Sequence, residues 1–577
     1  MPLLTRVCTF ITQRFRPPTI KPSPPLMPLL SIIRCDVLVY GGSLSGIAAA
    51  LRVAREGWQV ALVNPATHLG GMMVNGLVQW DAQSGQRRCP VLREILDLIE
   101  THYGEKSGVG STDHLAACYD HARHPVGKVE PSVLESILTH LVEAETLITL
   151  HAGWRIRHAR RRHHLVESVV FVPVSGAGQT EITARVFIDA SYEGDLAAQA
   201  GALYRVGREG HDETGEPHAG RIYTDFSSAS GPNEMVARRF GLHPAPMSQG
   251  PIDPRSPRTG DRCVQAYNLR PCLTCDPSRA VPLTAPPPGY LREAYLNYSR
   301  KSLALYLPEN AINRKATCNS PILPGENWDY PDGDWATRQR IYERHRDFAL
   351  GLMWFLQNDR SVPSDQQEQF RLWHLCADEF TDNDHLPWEM YVRETRRIVA
   401  RHVLSEHDLL PHPDTDLARA FDDSIAFTDW YMDSHSCDRD ATYGEPVSER
   451  YPYDGKLILS HELRPGQIPY RSLLPRGLDN LLVSVCLGAT HVAWGAVRLE
   501  PCLVHTGEVA GFAAAIALRD GTLPGQLDGE NLAAELFTRN VEVRFPLGEK
   551  RMESVSKIIT PSPRSTPCPT PLVTVFP

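Results

Sequence analysis

The stretch "VLVYGGSLSGIAAALRVAREGWQVALVN", Val37 to Asn64, leaves this chain few choices of fold. Four apolar residues read as a short buried strand, a glycine-rich turn follows, and an alanine- and leucine-rich helix runs to Gly57, which stops it. "QVALVN" is then a second buried strand. Two strands joined through a helix make a parallel βαβ unit with a right-handed crossover, and such a sheet is covered on both faces. The unit predicts an α/β domain built around a central parallel sheet.

The turn resembles the dinucleotide-binding pattern G-x-G-x-x-G. Its first glycine allows the tight turn, the second lets the backbone approach the pyrophosphate, and the third lets the helix pack closely on the strand. Here the three positions are Gly41, Ser43 and Gly46, with Gly42 beside the serine. A side chain at Ser43 costs some closeness, but its hydroxyl can donate to a phosphate oxygen. The helix N-terminus still presents free amides and partial positive charge to an anion. The acid expected after the second strand, which would bind the adenosine ribose, is replaced by Asn64, 23 residues beyond Gly41. An amide accepts from one hydroxyl and donates to another, without the charge-assisted strength of a carboxylate.

Further along, "SVLESILTHLVEAE" reads as an amphipathic helix entering the strand "LITLH", and "RIRHARRRHHLVESVVFVPV" as a hairpin with a solvated, basic tip at Arg160–His164. "ARVFIDAS" is another strand, ending at Asp189. From about 205 to 478 the texture becomes Pro-, Trp- and Tyr-rich, with one clear helix around "RQRIYERHRDFALGLMWFLQND", which reads as an inserted α+β substrate or cap domain. The α/β texture returns at "NLLVSV" and "GEVAGFAAAIALRDG", so the nucleotide domain is discontinuous: 35–204 closed by 479–525. Residues 1–34 carry Arg6, Arg14, Arg16, Lys21 and Arg34 without an acid and read as a disordered or mitochondrial-targeting extension. The Pro- and Ser-rich end of 526–577 reads as partly disordered.

Bulk properties exclude several classes. The net charge of -9 argues against nucleic acid as a partner, and no run of about 18 apolar residues predicts stable membrane insertion. The 13 cysteines lack a repeating spacing and read as reduced thiols in an intracellular, cytoplasmic or mitochondrial, protein. Cys272 and Cys275 have metal or redox spacing but no second pair to complete a site, so no metal is expected.

With "HLGGMMVNGL", "VFIDASYEGDLAAQAG", "VQAYNLRPCLT", "DEFTDN", "YVRETRRI", "DSIAFTDWYMDSH", "IPYRSLLP" and "LGATHVAWGAVRLEPCLVHTGEVAGFAAA" following the turn in order, residues 35 to 525 resemble the FAD-dependent oxidoreductases of glutathione-reductase type, in particular a xanthan-lyase-like group. The resemblance implies a Rossmann-like FAD-binding domain. It places the cofactor at Gly41, Gly42, Ser43, Ser45, Gly46 and Asn64, and its ring near Gly70, Gly71 and the loop from Gly488, with Asp195 either reaching the ribityl chain or capping the fold. The implied reaction is hydride transfer between the flavin and a small organic substrate such as a sugar, polyol or other alcohol, with an unidentified electron acceptor or donor.

Such a reaction needs a base, and histidine suits neutral pH. His491, between the last strand and the flavin-facing helix, and His435, with Asp433 two residues away to orient it, are the candidates. Arg393 and Arg498 would clamp a carboxylate or stabilise the reduced ring, unless they pair with the neighbouring Glu394 and Glu500. The reading from another class is a catalytically silent nucleotide-binding protein.

Overall fold

In the computed structural model, the described residues run from 30 to 546 except 77–78, 120–126, 226–239, 244–247, 297–311, 320 and 439–452. Most of the N-terminal extension and the Pro-rich tail therefore lie outside the described residues.

The predicted unit forms as β2 (Val37–Tyr40), α1 (Leu44–Arg55) and β3 (Val60–Asn64), with every strand residue buried. It sits in a five-stranded, all-parallel sheet with β4 (Ile148–Ala152), β8 (Val186–Asp189) and β9 (Leu481–Val483), in the order β9-β8-β2-β3-β4. The edge strand β9 comes from 292 residues beyond β8 in sequence, so the intervening segment is an insertion between two neighbouring strands. Between β3 and β4 run helices α2 (Pro90–Ser107) and α3 (Pro131–Ala144).

Strands β5 (Trp154–Arg162), β6 (Leu165–Pro173) and β7 (Gln179–Thr183) form an antiparallel meander between β4 and β8. The N-terminal extension is shorter than its composition implies. Leu30–Arg34 is a strand, β1, paired in parallel with β7 at the meander's edge, with Ile33 packed against the main core. The basic hairpin tip is solvated as expected, with Arg160–His164 all exposed, and Arg161 also donates to the carbonyls of Gly201 (3.2 Å) and Gly477 (3.0 Å).

The inserted region has its own core around α4 (Trp335–Asn358), where Phe348, Leu352 and Phe355 meet Tyr267, Leu273 and Leu375. The chain then returns through β9 into α5 (His491–Val497) and α6 (Glu500–Arg519). Helix α6 is long and apolar enough to cross a membrane by length and composition, and here it is buried throughout as the central helix of the main core. Its small residues let it lie against α1: a Cβ at Gly507 would fall 2.1 Å from the Ser45 carbonyl oxygen, and one at Gly511 2.6 Å from that of Ala49. Beyond 526, helix α7 (Gly529–Thr538) packs on the same core through Leu532 and Leu536.

Candidate active site

The glycine turn is built at the carboxyl end of β2, where an open parallel sheet offers its crevice. Gly41 has φ 112°, and a Cβ there would lie 2.6 Å from the Ala190 and Ser191 backbone. A Cβ at Gly46 would lie 1.9 Å from the Gly41 carbonyl oxygen, so the first and third glycines do the jobs the pattern assigns them. Ser43 does a different one. As N-cap of α1 its Oγ accepts from Gly46 N (3.2 Å) and donates its one proton to the Ala190 carbonyl (2.7 Å). The hydroxyl is thus committed to the protein, not offered to a phosphate. Ser45 is corrected as well: its Oγ meets that of Ser484 at 2.9 Å within the α1–α6 contact, away from the turn's open side.

Asn64 braces the loop. Its Oδ1 accepts from Gly42 N (2.9 Å) and its Nδ2 donates to the His68 carbonyl (2.7 Å), while the side chain still lines the cavity. That cavity is bounded by Gly41, Gly42, Ser43, Asn64, His68, Gly71, Glu193 and Glu389. Gly70 donates to the Gly42 carbonyl at 2.7 Å and Gly71 has φ 58°, with Tyr192 Oη 2.4 Å from where its Cβ would be. The doublet therefore brings the second loop against the first, as a close backbone approach requires. His68 stacks on Trp388 at 3.4 Å and holds Glu135 and Asp382 on its two nitrogens. Burial opposes its charge, but the two carboxylates outweigh it and raise its pKa.

Asp195 and Gly488, also expected at the cofactor, do not line this cavity. Asp195 is held by Arg338 (2.6 and 2.8 Å) and Arg396 (2.7 Å) in a buried ion network. Gly488 donates to the Ser472 carbonyl, and a Cβ there would fall 2.4 Å from that of Ala400; it is a packing glycine.

The four catalytic candidates divide differently. His491 is buried with Nδ1 on Glu394 (2.9 Å) and Nε2 on Ser434 (3.1 Å), its backbone N on Glu209 (2.8 Å). Both ring nitrogens are used, so it braces the site and does not face a substrate. Arg393 does not pair with Glu394, which serves His491 and Arg397. Instead it donates to the Ala266 carbonyl (2.6 Å) and Asn319 (3.3 Å), and lies 4.8 Å from the Tyr391 ring centroid. Arg498 contacts Tyr391 Oη (3.3 Å) and takes Asp433 (3.0 Å), so Asp433 orients the arginine and not His435.

His435 is the half-buried member of this group. Burial, then the charges of Arg393, Arg498, Lys456 and Arg270, hold its pKa well below the ordinary histidine value. It is therefore a neutral imidazole beside a cluster of cations. One segment connects this cationic cluster to the cofactor cavity: Glu389 lines the cavity, and Tyr391 and Arg393, in contact with each other, follow two and four residues later. A second link is Tyr192, which borders the cavity and donates to Glu500 Oε1 at 2.6 Å, two residues beyond Arg498. Burial pushes Glu500 up to about 8 and Glu389 up to about 7.

Sequence reasoning missed His68, Tyr192, Arg270, Glu389, Tyr391 and Glu500 as site residues. Arg270 and Tyr391 stand inside the quoted motifs "YNLRPC" and "YVRETRRI", but nothing in the spacing shows that they meet. Cys272 faces Cys376 at 3.7 Å across two strands, while Cys275 points to the Arg314 carbonyl, so the CxxC spacing joins no pair.

These features fit a dinucleotide: a glycine turn closed to any Cβ, a helix N-terminus behind it, and a second glycine loop against the first. Across the whole chain, the profile of FAD dependent oxidoreductases matches residues 36–536. No curated protein matches the chain. Among solved structures, partial likenesses include the OxyS anhydrotetracycline hydroxylase from Streptomyces rimosus, at 15% identity over 34% of this chain and 38% of that one (TM-score 0.23). Others are the L-proline dehydrogenase from P. horikoshii, at 17% over 32% and 26% (0.17), and Thermovibrio ammonificans THI4, at 20% over 30% and 66% (0.23). This chain therefore spans about a third of the length of the first two. The family match extends through both halves of the parallel-sheet domain and the insertion between them, and the chain belongs to the FAD-dependent oxidoreductase family, with FAD as its cofactor.

Proposed function

We propose that the enzyme transfers hydride between its flavin and the carbon of a small alcohol-type substrate, sugars and polyols included, with His435 as the group that takes or returns the proton. The observation that carries this reading is a neutral, half-buried imidazole set among buried cations and linked by one chain segment to the cofactor cavity. Bound FAD supplies a two-electron acceptor.

The chain's residues do the rest. Gly41, Gly42 and the N-terminus of α1 would hold the pyrophosphate, and the spare capacity of the Asn64 amide is available to the ribose. Gly70 and Gly71 would admit the remainder of the cofactor. In the oxidative direction the substrate C–H bond breaks with its electron pair leaving as hydride, while the hydroxyl proton moves to His435 and a carbonyl forms. Arg393 and Arg498 keep His435 free of its proton before the reaction and stabilise negative charge that develops on substrate oxygen.

The purified protein is expected to be yellow, and to bleach anaerobically with at least one member of a panel of alcohols, amines and hydroxy acids. A protein that stays colourless after addition of FAD contradicts the reading.

A further inference from the structure

Tyr192 lines the cofactor cavity, and its hydroxyl stands at the Gly71 wall: a Cβ on Gly71, itself a lining residue, would fall 2.4 Å from Tyr192 Oη. Two groups hold that oxygen. The Met72 backbone N donates to it at 3.1 Å, and Glu500 Oε1, at the start of α6, lies 2.6 Å away. Met72 and Glu500 are both buried.

A phenol oxygen carries one proton, and a backbone N–H only donates. The proton shared by Tyr192 and Glu500 therefore decides what the phenol offers elsewhere. With an ionised Glu500, Tyr192 gives its proton to the carboxylate and has no donor left for the cavity. With a neutral Glu500 whose proton sits on Oε1, the acid donates to Tyr192 Oη, and the phenol's own proton is freed for the Gly71 side.

The burial of Glu500 favours the second arrangement. Its Oε2 is enclosed without a hydrogen-bond partner. Charge on such an oxygen is costly, and a proton placed there would find no acceptor, so a neutral acid keeps its proton on the shared side. Burial, opposed by the bond to Tyr192 and helped by the like charge of Asp81, raises Glu500 to about 8. Burial and Glu500 raise Tyr192 well above the ordinary tyrosine value, so both groups keep their protons at neutral pH. With Met72 N and Glu500 both donating to it, the phenol is polarised as a donor. A dinucleotide offers the acceptors: phosphate and carbonyl oxygens and ring nitrogens.

Resting on the reading of this cavity as the FAD site, we infer that Tyr192 donates a hydrogen bond to an acceptor atom of the bound cofactor, and that Glu500 is the positioning acid that turns the phenol proton toward it. Tyr192 touches the cofactor, and Glu500 acts through it from inside the core. The pair also sets a pH limit on the site. As Glu500 ionises above about 8, it reclaims the phenol's proton in their shared bond, and the cofactor loses a donor. Glu193, Glu389 and His68 line the same cavity and carry charges of their own, and Glu389 also acts on Tyr192.

The test follows release of FAD from the full-length holoprotein by flavin fluorescence, from about pH 6.5 to about pH 9.5. At the lower pH, Tyr192→Phe should release FAD about 3- to 10-fold faster than the wild type, the worth of one hydrogen bond expressed in the off-rate. Glu500→Gln is the sharper variant, because its amide N–H donates to Tyr192 Oη at every pH, as the neutral acid does. Wild type and Glu500→Gln should therefore release FAD alike at the lower pH, and the wild type about 3- to 10-fold faster above about 8. Glu193, Glu389 and His68 remain in both proteins and cancel in that ratio. The visible absorbance of the same holoproteins places the acceptor. Bands displaced in Tyr192→Phe assign it to the flavin ring, and unmoved bands with faster release assign it to the phosphate or sugar oxygens.

Release from Tyr192→Phe at the wild-type rate overturns the inference. So does a ratio between wild type and Glu500→Gln that stays flat across the pH range, which is read even if Tyr192→Phe does not fold, or a Glu500→Gln protein that releases FAD fast throughout. A wild-type protein that takes no FAD fails the cofactor reading, and the inference falls with it. One that holds FAD with these differences absent fails the inference alone.

Discussion

The cofactor turn and the cationic cluster around Tyr391 are built on opposite principles. At the turn, polar groups are spent on the protein: Ser43 on Ala190 and Gly46, Asn64 on Gly42 and His68, Asp189 on Ser191 and Ala197. At the cluster, donors of Arg393, Arg498 and Gln265 lack acceptors. The first arrangement fixes a shape into which a dinucleotide fits; the second holds unspent interaction energy for something that arrives. Rigidity belongs to the permanent cofactor, and unsatisfied charge to the transient substrate.

Breaking the shape should have the largest effect. Gly46→Val places side-chain carbons against the Gly41 carbonyl, where the first of them already lies 1.9 Å away. Neither backbone segment can give, so the variant is expected to lose FAD and soluble expression together, as read by absorbance and yield. Next comes the base beside the cluster. His435→Gln should keep the flavin spectrum and lower kcat by about 10² to 10⁴-fold, the usual contribution of a general base.

A third effect separates burial from chemistry through pH. Glu500 is raised by burial to about 8, so its acid form is the folded form. Such a group contributes fully below the unfolded carboxylate pKa and loses that contribution as pH rises toward its folded value. Glu500→Gln should therefore flatten the fall in stability between pH 4.5 and 8, a gain of order 3 kcal/mol at pH 7, in denaturant titrations at several pH values. Glu389, raised to about 7, contributes in the same direction and remains in the variant. Smallest is Ser43→Ala. Losing the cap should cost about 1 kcal/mol of stability without weakening FAD beyond that loss. A larger effect on FAD than on stability would return the hydroxyl to the phosphate.

The same contrast explains what was legible in the sequence. Strand, turn and helix are local, so β2, α1 and β3 could be placed from periodicity and glycine spacing, as could the helix now seen at Trp335–Asn358. Side-chain commitments are not local. Ser43's partner Ala190 is 147 residues away, Asp195's partner Arg338 is 143 away, and Arg270 meets Tyr391 only through the folding of the insertion. Where a partner was read from a sequence neighbour, the neighbour was the wrong one: Glu394 for Arg393, Asp433 for His435. Strand β1 escaped because five residues beside a Pro-rich run carry too little pattern to stand out.

The central claim is that His435 does the proton chemistry while the turn holds FAD independently of it. Anaerobic bleaching of the flavin by a hydroxy-acid panel, compared between the wild-type protein and His435→Gln at equal flavin content, tests this most directly. The account predicts full flavin occupancy in both proteins and at least ~100-fold slower bleaching in the variant. Bleaching at the wild-type rate would contradict it.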